Sequence, residues 1–403
     1  MNRPWLDDIR IGLAYYFFTS LIVVLGVMFG REFVKPPAQR TSYQAPKDFL
    51  GSFAQWDGQH YKSIVERGYF YDPERRSNVA FFPAYPMLGR LIVELTGLRT
   101  EAALLIVSHT FLAGAFILLR TYTRLRFPDA GPQMWDTTLL VFGVFPTTFF
   151  FRMTYTESMF VFLTIVALLG MERKWPLLLI ALVCGLATAT RPVGVALIPP
   201  FLLHLWQRSD TWRVFAWQSV LLLPVSVWGL LAYMAYQDAV FGEPLAFART
   251  QEHWYRVMPE KLPDRVTSLI TLDPIIGLYQ PSSSRYWQHL EWHSSPAFSL
   301  VFANPVYVLI VLVLAIAGLW HGSLTQSQLL LAGALLLIPY LTRAHEMSMI
   351  AFGRFAACAL PCCLPGVVGG TRASRLFTMA FAAPSAFMLG AYTALFVARF
   401  PIF

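Results

Sequence analysis

Apolar runs of nearly the length a bilayer selects recur along this chain, and they constrain its fold more than any motif does. A helix needs roughly 20 apolar residues to cross a hydrocarbon core of about 30 Å, and about eleven runs approach that length. They fall near 11–30, 102–119, 137–151, 158–170, 176–190, 193–206, 217–236, 298–320, 329–341, 350–368 and 376–397. Several are short for a crossing, so some helices should begin in flanking polar residues or be tilted, broken or re-entrant. Only 13% of the residues are charged against 56% hydrophobic, whereas soluble domains carry about 25% charged residues. The expected fold is an all-α polytopic membrane protein with about eleven transmembrane helices. It forms one integral membrane domain over 1–403, with no room for a separate soluble domain.

Two polar stretches interrupt the apolar pattern, at 31–101 and 237–297. With a cytoplasmic N-terminus, the inner connections carry Arg120, Arg124, Arg126, Arg173, Lys174, Arg208, Arg213, Arg372 and Arg375. The short outer ones carry Arg152, Arg191 and Arg343, with Arg354 just inside the next span. The excess of inner basic residues favours that orientation and puts both long loops on the outer face. Within the first loop, 53–66 and 86–95 have apolar residues at helical spacing, so they read as short interfacial helices. Arg3 and Arg10 precede the first apolar run without a convincing cleavage site, which reads as a retained helix.

A net charge of +8 raises the question of nucleic acid, but the basic residues are scattered over loops and span ends, as juxtamembrane anchors are. Cys184, Cys358, Cys362 and Cys363 all fall in apolar segments, which indicates small buried side chains and no disulfide framework or zinc site. Neither HxH nor HExxH spacing occurs, and the outer loops hold no DxD pair. No cofactor is required by these residues, with a divalent metal left open.

The residues with chemical potential cluster in and beside the long loops. WDGQHY supplies Trp56, Asp57, Gly58, His60 and Tyr61 within one turn and a half. An aspartate there also suits a helix N-cap, but beside aromatic faces and an imidazole it suits a base acting on a hydroxyl. Glu157, in YTES, begins an apolar span, where the helix dipole favours a carboxylate. It is also a candidate for orienting an acceptor. Arg191, before Pro192, and Arg354, in an apolar run, are costly at membrane depth and need a carboxylate or a phosphate. Arg343 and His345 precede Arg354 and could complete a cationic site for a lipid phosphate. The GEPLAFARTQEHW stretch offers Glu243, Gln251, His253 and Trp254 as a lid or an acceptor wall.

WDGQHYKSIVERGYFYDPE followed by FFPAYPMLGRLI resembles the first outer loop of the GPI mannosyltransferase II (PIG-V-like) family. The resemblance continues collinearly through FPTTFFFRMTYTES to TRPVGVAL, through FGEPLAFARTQEHW and, less closely, through MSMIAFGRFAACALP. It implies the C-type glycosyltransferase (GT-C) fold and an enzyme dependent on a polyprenyl- or dolichyl-phosphate sugar, as in a prokaryotic relative. The sugar it favours is mannose, and the acceptor is a hydroxyl of a glycolipid or glycan. Asp57 then acts as the base of one inverting displacement, and Arg191, Arg354 and Arg343 hold the donor phosphate. Trp56, His60, Tyr61, Glu157, Gln251, His253 and Trp254 contact sugar or acceptor. The implied location is a bacterial cytoplasmic membrane with the site facing the periplasm or exterior, or an ER membrane with a lumenal site. Two rivals are a lipid or polysaccharide transporter, for which repeated halves are expected and none is visible, and an inactive scaffold, against which Asp57 argues.

Overall fold

A computed structural model describes residues 4–36, 46, 48–254, 261–290, 295–364 and 372–402, with the backbone alone for 372–377 and 379. Parts of both long loops (37–45, 47, 255–260 and 291–294) and the end of the tenth apolar run (365–368) lie outside these residues. Among the described residues the chain is helical and has no strand. Helix α1 (Pro4–Phe33) leads through a 3₁₀ turn to two short helices, α2 (Asp57–Arg67) and α3 (Ala84–Thr96). Then come α4 (Thr100–Arg126), α5 (Pro132–Val144), α6 (Glu157–Glu172), α7 (Leu177–Thr190), α8 (Ile198–Gln207), α9 (Trp212–Ser226) and α10 (Trp228–Phe241). The second long loop contains α11 (Ala246–Arg249), α12 (Leu262–Ile270), α13 (Asp273–Ile276) and α14 (Trp287–Leu290). The chain continues with α15 (Leu300–Trp320), α16 (Gln326–Met347), α17 (Phe352–Cys363) and α18 (Arg372–Val397).

Every one of the eleven apolar runs contains a helix, but they are not eleven full crossings. Among the described residues, five helices are long and apolar enough to span, or up to seven if the bent pairs α5 with Pro146–Arg152 and α9 with α10 each count as one. The others are too short by length: α6 has 16 residues, α7 has 14 and α17 has 12. The residues of α6 and α17 are largely buried in protein, as is the C-terminal half of α7, and backbone that is covered by protein need not run unbroken through lipid. The chain is an integral membrane protein whose interior is built from interrupted helices.

The 80° bend after α5 has an identifiable cause and an identifiable remedy. Pro146 cannot donate to the helix, and it holds Phe145 out of helical geometry (φ −56°, ψ 129°). The carbonyls left over are met by Arg152, which donates to Thr148 O at 3.1 Å and Gly143 O at 3.4 Å. Arg152 also reaches Thr19 Oγ1 at 2.6 Å and Ser20 Oγ at 3.0 Å. Arg152 is therefore a buried brace for the bend and not the outer-connection charge that its place in the sequence suggests.

Helix α1 packs along α18, where Gly26 and Gly30 face the backbone carbonyls of Gly390 and Ala394. A side chain at either glycine would occupy the place of that partner backbone. Small residues permit such approaches between spanning helices. At the N-terminal end of α1, Asp8 accepts from Arg120 at 2.6 Å and from Arg124 at 2.6 Å, and Arg120 also reaches Asp136 at 2.9 Å. This changes the reading of Arg120 and Arg124 as membrane anchors, because they are tied into a buried ion network. At the opposite end of α4, about 35 Å away by helix rise, Glu101 pairs with Lys62 of α2 at 2.6 Å.

Removing one partner of a buried ion network strands the others. Asp8→Asn is expected to destabilise the protein by about 3–5 kcal/mol, read as earlier thermal unfolding in lipid nanodiscs. An unchanged transition would mean that the network contributes nothing to the fold.

Candidate functional site

Two segments distant in sequence are sewn together to form the floor of the site. Thr154 N donates to Phe53 O at 3.1 Å, and the Tyr155 hydroxyl donates to Gln55 O at 3.2 Å. The first segment turns at Trp56 (φ 54°, ψ −121°) and starts α2 at Asp57, and the second starts α6 at Glu157. Gly58 lies so close to Thr154 Oγ1 that a Cβ there would overlap it. This close approach is what the glycine of WDGQHY permits.

The third part of the site is the start of α17. Gly353 is pinned from both sides, its N–H to Asn304 Oδ1 at 3.0 Å and its carbonyl to Thr147 Oγ1 at 2.6 Å. Ala351 (φ 67°) and Ser348 (φ 52°) turn the chain into this helix through left-handed backbone. Six described non-glycine residues have positive φ, and Trp56, Ser348 and Ala351 are three of them. Such conformations cost of order 1–3 kcal/mol each and persist only where the surroundings enforce them, often at functional sites.

These elements bring four charged side chains into contact. Arg354 donates through Nε to Glu157 Oε1 at 2.6 Å, with Nη2 at 2.5 Å from the same oxygen. Its Nη1 donates to Asp57 Oδ2 at 2.8 Å. Arg191, set in extended backbone where Pro192 ends α7, places Nη1 2.7 Å from Glu157 Oε1. The Arg354 guanidinium also lies over Phe150 and Tyr155, 4.9 and 5.0 Å from the ring centres, and Arg191 lies 5.3 Å from that of Phe355. Glu157 is fully buried, whereas the Asp57 side chain keeps 25% exposure. The carboxylate that can meet another molecule is therefore Asp57, and Glu157 is the counter-ion below.

The remaining candidates divide by location. Tyr61 is buried, donates to Thr156 Oγ1 at 3.4 Å and packs edge-on against Phe81 and Tyr85. Burial raises its phenol above the ordinary value, so it stays a donor that ties α2 to the start of α6. His60 stacks on Phe81 at 4.6 Å, and Trp254 approaches both rings. The two long loops are joined here: Ser77 N donates to Thr250 Oγ1 at 3.1 Å, and Arg76 Nε donates to His253 O at 2.7 Å. Arg76 also faces the Trp254 ring at 5.6 Å, and His253 Nε2 lies 2.9 Å from Pro73 O. Arg343 belongs to α16 and donates to Gln251 Oε1 at 2.7 Å, while His345 Nε2 lies 3.0 Å from Glu346 Oε1. Glu243 is paired with Arg249 at 2.7 Å. Phe81, Phe150, Tyr155 and Arg76 had not been singled out as site residues, although the aromatic density of FPTTFFFRMTY is a signal for a cation platform.

Among the described residues, no three His, Cys, Asp or Glu side chains converge as a metal site. The site offers a part-exposed carboxylate beside two guanidinium groups, roofed by joined aromatic loops.

Two measurements follow from this geometry. Gly58→Ala should destabilise by about 1–3 kcal/mol through overpacking, and Thr154→Ala in the same chain should recover much of that loss in thermal unfolding. No recovery would mean that the Gly58 to Thr154 approach is not the constraint. Burial lowers the His60 ring below its ordinary value of 6.5, with nearby Asp57 pulling the other way. Below that pH the unfolded chain binds a proton that the folded chain does not, so stability falls on acidification. His60→Gln should flatten the decline in unfolding temperature below pH 6.5.

The sequence profile described as Mannosyltransferase (PIG-V) matches residues 33–315. The GPI alpha-1,6-mannosyltransferase 2 of Mus musculus is 28% identical over 305 residues, covering 66% of this chain and 58% of that protein. The Rattus norvegicus protein of that name is 31% identical over 204 residues, covering 48% and 38%. The Cricetulus griseus protein is 32% identical over 173 residues, covering 40% and 33%. The chain thus matches between a third and three fifths of the length of these relatives. Among solved structures, the Archaeoglobus fulgidus oligosaccharyltransferase in the apo form gives a TM-score of 0.49 at 13% identity, covering 95% of this chain and 56% of that one. The same archaeal enzyme in complex with an inhibitory peptide and a dolichol-phosphate gives 0.47 at 14%, covering 95% and 56%. Both likenesses are weak. The family match spans the stretch that carries Asp57, Glu157 and Arg191, and on it this chain belongs to the mannosyltransferase (PIG-V) family.

Proposed function

We propose that the protein is an inverting glycosyltransferase that moves a sugar, mannose by family, from a polyprenyl-phosphate donor to a hydroxyl of a glycolipid or glycan. The observation that carries this reading is the part-exposed Asp57 carboxylate joined through Arg354 to Glu157 and Arg191; Asp57, Glu157 and Arg191 lie inside the region matched by the family, and Arg354 lies beyond it. In this reading the helices take the GT-C arrangement. The site faces the periplasm or exterior of a bacterial cytoplasmic membrane, or the ER lumen in a eukaryote.

Asp57 acts as the general base. The acceptor oxygen attacks the anomeric carbon while its proton passes to Asp57, the bond from that carbon to the phosphate oxygen breaks, and the lipid phosphate departs with the electron pair. A phosphate is already a good leaving group, so no general acid is needed. Arg191 and Arg354 receive the phosphate charge. Glu157 is the buried counter-ion that aims both guanidinium groups, which is a different role from the acceptor contact expected of it. Trp254, Phe81 and His60 form an aromatic wall against which a sugar ring can stack. Arg343, tied to Gln251, stands at the rim and not in the ion cluster. In this reading the two guanidinium groups donate to the phosphate oxygens in the role a metal plays elsewhere, with Glu157 and Asp57 balancing their charge.

The test is transfer of labelled mannose from a polyprenyl-phosphate donor to lipid acceptors by purified protein. Asp57→Asn should lower kcat by about 10²–10⁴-fold, the usual contribution of a general base, in protein that thermal unfolding shows to be folded at the assay temperature. Full activity in that variant would remove Asp57 from the mechanism, and lipid movement across vesicles without sugar transfer would favour a transporter. Arg191→Ala should weaken donor binding by about 1.5–3 kcal/mol, the loss of a charge-assisted contact, and spare the acceptor. Chelation with EDTA should leave the rate unchanged, and loss of activity restored by a divalent cation would overturn the two-arginine account.

A further inference from the structure

Helix α12, in the second long loop, has three faces of different chemistry. Ser268 and Leu269 turn inward with Arg265. Asp264, Thr267 and Thr271 at its end form an exposed polar side. Leu262, Val266 and Ile270 follow one another at i, i+4 and i+8 on the third side, 70%, 48% and 76% exposed. Residues four apart share a helix face, so these three make one apolar stripe.

The rotation of that stripe is fixed. Arg265 Nη2 donates to Glu346 Oε1 at 3.2 Å, and the Tyr340 hydroxyl donates to Leu269 O at 2.8 Å, both from α16. Arg285, fully buried, clamps the following turn: its Nε donates to Asp273 Oδ2 at 2.6 Å and its Nη1 to His345 O at 2.9 Å. The apolar side is thereby held away from the protein, and it cannot roll under. What covers it is indicated by α16. This helix is long and apolar enough to span a membrane, and Leu337 and Leu341, flanking Tyr340, are 54% and 52% exposed. The apolar stripe of α12 thus continues onto the lipid-facing surface of a spanning helix.

We infer that α12 is a membrane-surface helix, its apolar stripe seated in the lipid interface and its polar side in water. A helix with separate polar and apolar faces takes this position by burying the latter at the headgroup boundary. The contacts also set a depth order. Arg265 meets the last turn of α16 and Leu269 meets Tyr340, nearly two turns further down. Ile270 is therefore the deepest of the three and Leu262 the shallowest. Seated there, α12 marks the membrane level beside Arg343 and the approach to α17.

The test uses single cysteines at 262, 266 and 270 and, on the polar side, at 264, 267 and 271, each carrying an environment-sensitive fluorophore, in phosphatidylcholine nanodiscs. The four native cysteines are buried. Labels at 262, 266 and 270 should emit to the blue of the other three, be quenched by shallow doxyl-labelled lipid in the order 270, 266, 262, and resist iodide. Equal iodide quenching at all six positions would place the helix in water and overturn the proposal. Protection of the apolar stripe from both iodide and doxyl lipid would mean that protein covers it, through a second copy or another segment, and would overturn it equally.

Discussion

A single carboxylate oxygen governs the site. Glu157 Oε1 lies within 2.7 Å of both Arg191 and Arg354, at a buried position where a lone charge of either sign is expensive. The glutamate makes two guanidinium groups tolerable near membrane depth, and they make the glutamate tolerable. Asp57 joins as the fourth charge, so the cluster carries two negative and two positive groups. Around it the backbone takes left-handed turns at Trp56, Ser348 and Ala351. The surrounding contacts hold these turns: Thr154 to Phe53, Tyr155 to Gln55, and Gly353 between Asn304 and Thr147.

The same demand for satisfied polar groups explains the broken helices. Where Pro146 interrupts the helix after α5, the exposed carbonyls meet Arg152 in place of lipid. Where Pro192 ends α7, Arg191 leaves the helix axis and turns its side chain to Glu157. In both places a proline stops a helix beside a buried arginine, but only Arg152 meets carbonyls at the break, whereas Arg191 meets Glu157. One of these arginines serves only the fold, whereas the other belongs to the ion cluster.

Much of the fold was legible because bilayer thickness writes a length into the sequence, and every apolar run became helix. The number of crossings was not, since a run of apolar residues does not say whether lipid or protein will cover it: α6 and α17 are covered by protein, and α7 only in part. At the site, Asp57 stood out through its neighbours in WDGQHY. Its contact with Arg354 spans 297 positions, and no local spacing encodes such a distance. Charge alone also failed to sort the arginines. Arg152 and Arg191 are both buried and both follow apolar segments, yet one meets hydroxyls and carbonyls and the other a carboxylate. Arg120 and Arg124 resembled anchors because Asp8, their partner, lies more than a hundred residues earlier.

The close packing of α1 on α18 has a consequence for biogenesis. Among the described helices, the earliest in the chain has the latest as its partner, with Gly26 and Gly30 set against the backbone of Gly390 and Ala394. At about 5–20 residues per second, the roughly 350 residues between them take of order 20–70 s to synthesise. During that interval the Gly26 and Gly30 face of α1 lacks the backbone that it packs against in the finished fold. Closure of the bundle is then a late, long-range event, of the kind that sets the pace of folding. The elements of the ion cluster contributed by α2, α6 and α7 are all made before it, and Arg354 is made only shortly before.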